Sequence, residues 1–222
     1  MWLSIRKIGY LLLLLVLLLG NALAETDQKN FLIIAVQNND FVAVNRLLAN
    51  GVNVDTHDDR GRSALLIATY KNYREMAELL INAGADVNLR DDLDDSPYLF
   101  AGAEGRLDIL RMTVNAGADL SSVNRYGGTA LIPAAHHAHV ETVAYLLTTN
   151  IDIDHVNFLG WTALLEAVIL GDGGEKHQKI VGLLLASGAD ASITDKEGLS
   201  PLDHARRNGY YKIIRSLERY DR

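Results

Sequence analysis

The sequence contains no cysteine. It therefore has no disulfide staple, no thiol at risk in an oxidising compartment, and no lipid attachment site of the bacterial lipoprotein kind. It also lacks a positive balance: 21 Lys and Arg stand against 28 Asp and Glu, a net charge of −7. Nucleic acid selects clustered positive charge, so a nucleic-acid partner is not expected. The same balance argues against an anionic membrane surface. No GxSxG, HExxH or phosphate-loop pattern occurs, so the common hydrolytic and nucleotide chemistries lack their signatures. The one dense apolar run, Leu11–Leu19, is short for a membrane span, which needs about 20 apolar residues.

What is present begins with a leader. Arg6 and Lys7 precede the apolar run, and Ala22-Leu23-Ala24 follows it. A basic start, a short apolar centre and an A-x-A end predict a secretory signal peptide over 1–24. An uncleaved anchor is the alternative. Cleavage after Ala24 would remove Arg6 and Lys7 and leave 198 residues, with 19 basic against 28 acidic and a net charge of −9. That length suits a single domain, 25–222. Export of a small cysteine-free chain with no further anchor points to the bacterial periplasm, with secretion from the cell as second choice.

The stretch Asp58–Arg90 organises everything after the leader. Asp58 and Gly61 bracket a turn, and Ser63 can cap a first helix. Leu65, Ile67 and Ala68 make that helix apolar on one side, and Asn72 breaks it. Met76, Leu79, Leu80 and Ala83 recur at helical spacing in a second helix, which Gly84 can end by taking positive φ. Two helices this short cannot close a core alone. Their neighbours come from repetition. A small residue recurs at Ala35, Ala68, Ala101, Ala134, Ala167 and Ala205, in steps of 33 residues with one of 38. The residue after the second helix (Gly51, Gly84, Gly117, Asn150, Gly188) keeps the same phase. So does the turn-opening Asp58, Asp91, Asn124, Asn157 or Asp195. Three markers in phase define a repeat array.

Period and residues together resemble the ankyrin repeat. The family's T-P-L-H-x-A stretch stands here as Ser63–Ala68, Ser96–Ala101, Thr129–Ala134, Thr162–Ala167 and Ser200–Ala205. Its G-A-D-V-N ending stands as Gly84–Asn88, with relatives at Gly117–Ser121 and Gly188–Ser192. The usual His of the first stretch is missing from every copy, and Asp94 replaces the turn Gly of the third unit. The resemblance implies an all-α solenoid of helix-turn-helix units with projecting turns, divided 25–57, 58–90, 91–123, 124–156, 157–194 and 195–222. The first and last units read as end caps, which arrays need to hide an apolar flank.

The resemblance also implies a concave face, lined by turn tips and by the exposed ends of the first helices. Here the matching positions include Tyr70, Leu93, Tyr126, His136, His137, Phe158, Leu159 and Trp161. A turn tip should be polar, so Phe158 and Leu159 at a tip, beside Tyr126 and near Trp161, break a local rule. Exposed aromatic clusters mark binding hot spots, and those eight residues are the candidate partner-binding set. The competing reading folds a glycine-rich insertion over them as a private core. That insertion, Gly171–His177, is expected as an open loop. It resembles a G-D-G-G-x-x-H segment of exported bacterial ankyrin proteins, which implies either a recognition element or a brace for the neighbouring repeat.

Two clusters invite chemistry. His136, His137 and His139 could be metal ligands, but positions i, i+1 and i+3 of a short helix do not share a face, and a solvated or partner-facing role is the plainer reading. Glu166, Asp172 and His177 flank the insertion as a hydrolytic set would, against a plain loop with a capping Asp. The expectation is an exported, non-catalytic protein-interaction module, a monomer that uses no cofactor or metal. Its partner would be a protein, basic by charge complementarity. Accessory service to a periplasmic protein and inhibition of a toxin or enzyme are the two narrower versions.

Overall fold

The structure, a computed structural model, describes residues 30–220. The leader and its cleavage point lie outside the described residues. Among those residues no helix is long and apolar enough to cross a membrane, and no strand forms beyond an isolated bridge between His57 and Ser63.

The chain runs as pairs of antiparallel helices. The pairs are α1 (30–37) with α2 (Phe41–Ala49), α3 (Ala64–Tyr70) with α4 (Arg74–Asn82), and α5 (Pro97–Ala103) with α6 (Leu107–Asn115). They continue with α7 (Leu131–His136) and α8 (Val140–Leu146), α9 (Ala163–Ile169) and α10 (Glu175–Ala186), and α11 (Pro201–Asn208) and α12 (Tyr211–Tyr220). First helices stack on first helices from α3 to α11, and second helices form a parallel row from α4 to α12. The core is the seam between the rows: Leu65, Leu80, Ile109, Leu131, Leu146 and Leu164 are all buried. The alanines that set the period are buried too, because neighbouring units approach closest at these first helices. The next residue in unit three shows how closely: a Cβ added to Gly102 would lie 2.7 Å from that of Ala130.

The turn-opening residue repeats because its side chain does one job five times. Oδ1 of Asp58, Asp91, Asn124, Asn157 and Asp195 accepts the backbone N–H groups two and four residues on, at 2.9–3.1 Å. Asp and Asn place an acceptor there more effectively than Ser or Thr. The turn's fourth residue has positive φ, supplied by Gly in four units and by Asp94 at φ 62° in the third.

Ser63, Ser96, Thr162 and Ser200 each cap a first helix by accepting an N–H three residues on. Unit four departs. Pro133 has no N–H to give the Thr129 carbonyl, which accepts from Ile132 at 3.2 Å instead. Helix α7 then starts at Leu131, and the buried Thr129 hydroxyl has no partner. Unit four also ends early. The Thr148 and Thr149 hydroxyls donate back to the Tyr145 and Leu146 carbonyls at 2.7 and 2.6 Å. Asn150, expected to match the helix-ending glycines, takes no left-handed conformation.

Two further expectations change. The expected open loop at 171–177 is only four residues long, since Glu175, Lys176 and His177 form the first turn of the 12-residue α10. The first helix pair, expected to cap the stack, leaves Phe31, Ile34 and Val42 exposed.

Candidate functional site

Projecting turns from successive units are laced together. Asp92 N–H donates to the Arg60 carbonyl at 3.1 Å, and Phe158 N–H to the Tyr126 carbonyl at 3.0 Å. Lys196 Nζ then donates to the Phe158 carbonyl at 2.6 Å. The tips are therefore held in register before anything docks. Along them lie exposed apolar side chains: Leu93 at 54%, Tyr126 at 55%, Phe158 at 69% and Leu159 at 48% of full exposure. The glycine loop does not cover them. Phe158 rests its ring on the preceding turn, where a Cβ on Gly127 would lie 2.6 Å from it.

Behind the tips of units three to five runs a groove of about 430 Å³. Tyr126, His136, His137 and Leu159 line it, joined by Phe100, Leu170, Asn124 and Glu166. A second groove, between units two and three, takes Tyr70 and Leu93 along with Arg60, Arg62, Asp91 and Asp92. Phe158 and Trp161 line neither, and Trp161 is half-buried rather than exposed. Of the eight candidate residues, four line the first groove, two line the second, Phe158 stands at an exposed tip and Trp161 is half-buried outside both grooves.

Tyr70 differs from its expected role. Its ring packs on Phe100 with centroids 3.9 Å apart, and its hydroxyl lies 3.1 Å from Asp95 Oδ2 and 3.3 Å from Asp91 Oδ2. Burial, then these two carboxylates, raise the phenol's pKa well above its usual range. Tyr70 positions the third turn, and Arg125 completes the set 3.6 Å from Asp95 while lying over the Tyr126 ring.

Glu166 forms part of the groove floor. Because Asn157 Oδ1 is taken by two turn amides, its Nδ2 points inward and donates to Glu166 Oε1 at 2.8 Å. Unit six meets the same spacing with the roles exchanged: His204 Nε2 lies 2.7 Å from Asp195 Oδ2. Burial raises the Glu166 pKa above 4.5, while the Asn157 hydrogen bond opposes it. His136 Nδ1 is 3.9 Å from Glu166 Oε2, beyond hydrogen-bond reach. Burial, then His137 and His177, lower the His136 pKa.

The suspected hydrolytic set does not assemble in the groove. His177 is buried outside it, with Nδ1 2.8 Å from Asp172 Oδ1 and Nε2 3.0 Å from the His136 carbonyl of the preceding unit. Tyr210, of the following unit, donates its hydroxyl to the Gly171 carbonyl at 2.8 Å. A side chain on Gly173, at φ 67°, would strike the Tyr210 ring, and one on Gly171 would strike the Ala167 carbonyl. The four-residue loop is a brace tying three units. The three histidines of the His136–His137–His139 cluster part ways: His136 and His137 line the groove, with His137 Nδ1 2.9 Å from the Ala103 carbonyl, and His139 packs against Gly105. Among the described residues no three His, Asp or Glu side chains converge as a metal site.

The family model of ankyrin repeats in three copies matches residues 2–91 and 99–195. The chain belongs to the ankyrin-repeat family. It is 51% identical to an ankyrin repeat domain from Acinetobacter baumannii AYE, with a TM-score of 0.84 over 86% of this chain and 97% of that one. The ankyrin repeat protein EF0377 aligns at 43% identity and a TM-score of 0.83, again over 86% and 97%. The ankyrin repeat domain of Bcl-3, a member of the IkappaB family, aligns at 29% identity and 0.77 over 86% and 85%. A shorter match joins the chain to the ankyrin repeat protein YahD of Escherichia coli (strain K12), 50% identical over 52 residues; it spans 23% of this chain and 26% of YahD. Ankyrin repeats are in general protein–protein interaction modules, and the family is typically non-catalytic.

Proposed function

We propose that this chain is an exported, non-catalytic protein-binding module that takes a partner on the concave face of units two to five, as an accessory to a periplasmic protein. One observation carries the reading. Four large apolar side chains, Leu93, Tyr126, Phe158 and Leu159, stand about half exposed or more on consecutive laced turns, with a groove behind them. Contiguous exposed apolar patches mark interaction sites. Turns already hydrogen-bonded to each other lose little freedom on docking. The excess of acidic residues favours a basic partner. Export rests on the leader, and its test is separate: mass spectrometry of the mature chain should find Glu25 at the N-terminus.

Capture from periplasmic extract tests the binding face. The wild-type chain should retain one stoichiometric partner, and a Tyr126→Ala/Phe158→Ala/Leu159→Ser variant should lose it while melting within a few degrees of wild type. Retention by the triple variant would move the binding face elsewhere.

A further inference from the structure

Glu166 is only 7% exposed. Its Oε1 is occupied by Asn157, but its Oε2 accepts no hydrogen bond among the described residues. A buried carboxylate normally has its oxygens paired. Yet this oxygen faces a groove whose walls, Phe100, Tyr126, Leu159 and Leu170, are largely apolar. Among the described residues no lysine or arginine pairs with the charge. Arg125 is held by Asp95 at 3.6 Å, the His136 ring stands at 3.9 Å, and His137, which lowers the Glu166 pKa, has its Nδ1 turned to the Ala103 carbonyl. Glu104 and Asp95, the other titratable groups on the groove wall, are acidic. A second vacancy points the same way. Asn124 lines the groove, its Oδ1 is taken by two turn amides, and its Nδ2 donates to nothing among the described residues.

We propose, resting on the concave-face reading above, that this groove receives one lysine or arginine side chain of the partner protein, its cationic end on Glu166 Oε2 and its stem against Tyr126 and Leu159. The free Asn124 donor suits a backbone carbonyl of the same segment, and the exposed tips extend the contact beyond the reach of a free amine. A protein segment therefore fits better than a small cation. Losing one hydrogen bond to a charged group weakens binding by about tenfold to a hundredfold.

The test uses random dodecapeptides displayed on phage and selected against the full chain. Selected peptides should share one Lys or Arg. Synthetic copies should bind at least tenfold more weakly to Glu166→Gln, and equally to Glu141→Gln on the outer row. Replacing the shared residue with citrulline or norleucine should weaken binding to the wild-type chain by the same factor, a readout independent of how the protein variant folds. Peptides that lose Tyr126→Ala and Leu159→Ser but keep Glu166→Gln would overturn the anchor and leave the concave face intact. Peptides indifferent to all of these variants would overturn the concave-face reading as well.

Discussion

Unit five carries two segments that break local sequence rules, and they break them for opposite reasons. At the turn tip, Phe158 and Leu159 put apolar surface where water should be, and they stay exposed. In the glycine loop, Gly171, Asp172 and Gly173 put flexible residues where a tight connection should be, and they become fixed. His177 reaches the preceding unit and Tyr210 closes on the loop from the following one. The tip keeps Phe158 and Leu159 about half exposed or more, and so retains surface for another molecule. The loop spends its polar groups internally. An unusual residue becomes a binding determinant only if its neighbours leave it unsatisfied.

That contrast can be broken by experiment. His177→Ala removes a buried ring and two hydrogen bonds, and should destabilise the chain by about 2–4 kcal/mol in urea melts. Loss of partner capture at unchanged stability would instead make the loop a recognition element. Gly173→Ala combines left-handed φ with a collision against Tyr210, and should cost about 1–3 kcal/mol. Phe158→Ala should lower stability by less than about 1 kcal/mol, since most of its ring is already in water, while weakening capture more than tenfold. A stability loss of several kcal/mol would make the tip part of the core. Trp161→Ala, at a half-buried position, should fall between the two.

The smallest effect is one of pH. The Glu166 pKa is raised by burial, so the folded state holds its proton more tightly than the unfolded chain does. Protonation stabilises the fold below the ordinary value of 4.5, and that contribution is lost as pH rises through the folded value. Glu166→Gln should therefore melt higher than wild type at pH 7, with the gain shrinking toward pH 4. A lower melting temperature at pH 7 would mean that the carboxylate supports the fold and is not held ready for a cation.

The repeat period, the turn openers and the caps are legible in the chain because each reports contacts within a single unit, repeated, and the buried alanines because the contact between units recurs with the same period. Ser63, Asp58 and Ala68 do in one unit what Ser200, Asp195 and Ala205 do in another. The site was less legible. Tyr126, Leu159, His136 and His137 meet in one groove as candidates, but Tyr70 is engaged by Asp91 and Asp95, and Trp161 is half sheltered. Glu166 stands out in the sequence for hydrolysis, beside Asp172 and His177, from which the fold separates it. Its partner, Asn157, was visible only as a turn opener. The spacing shared with Asp195 and His204 was the available clue.

The sequence alone determined the all-helical stack, since apolar spacing, caps and turn residues act over a few positions and recur in phase. Only the tertiary structure decided which side chains stay unpaired. That depends on donors and acceptors arriving from the units before and after, as the His136 carbonyl does for His177 and as none among the described residues does for Glu166 Oε2.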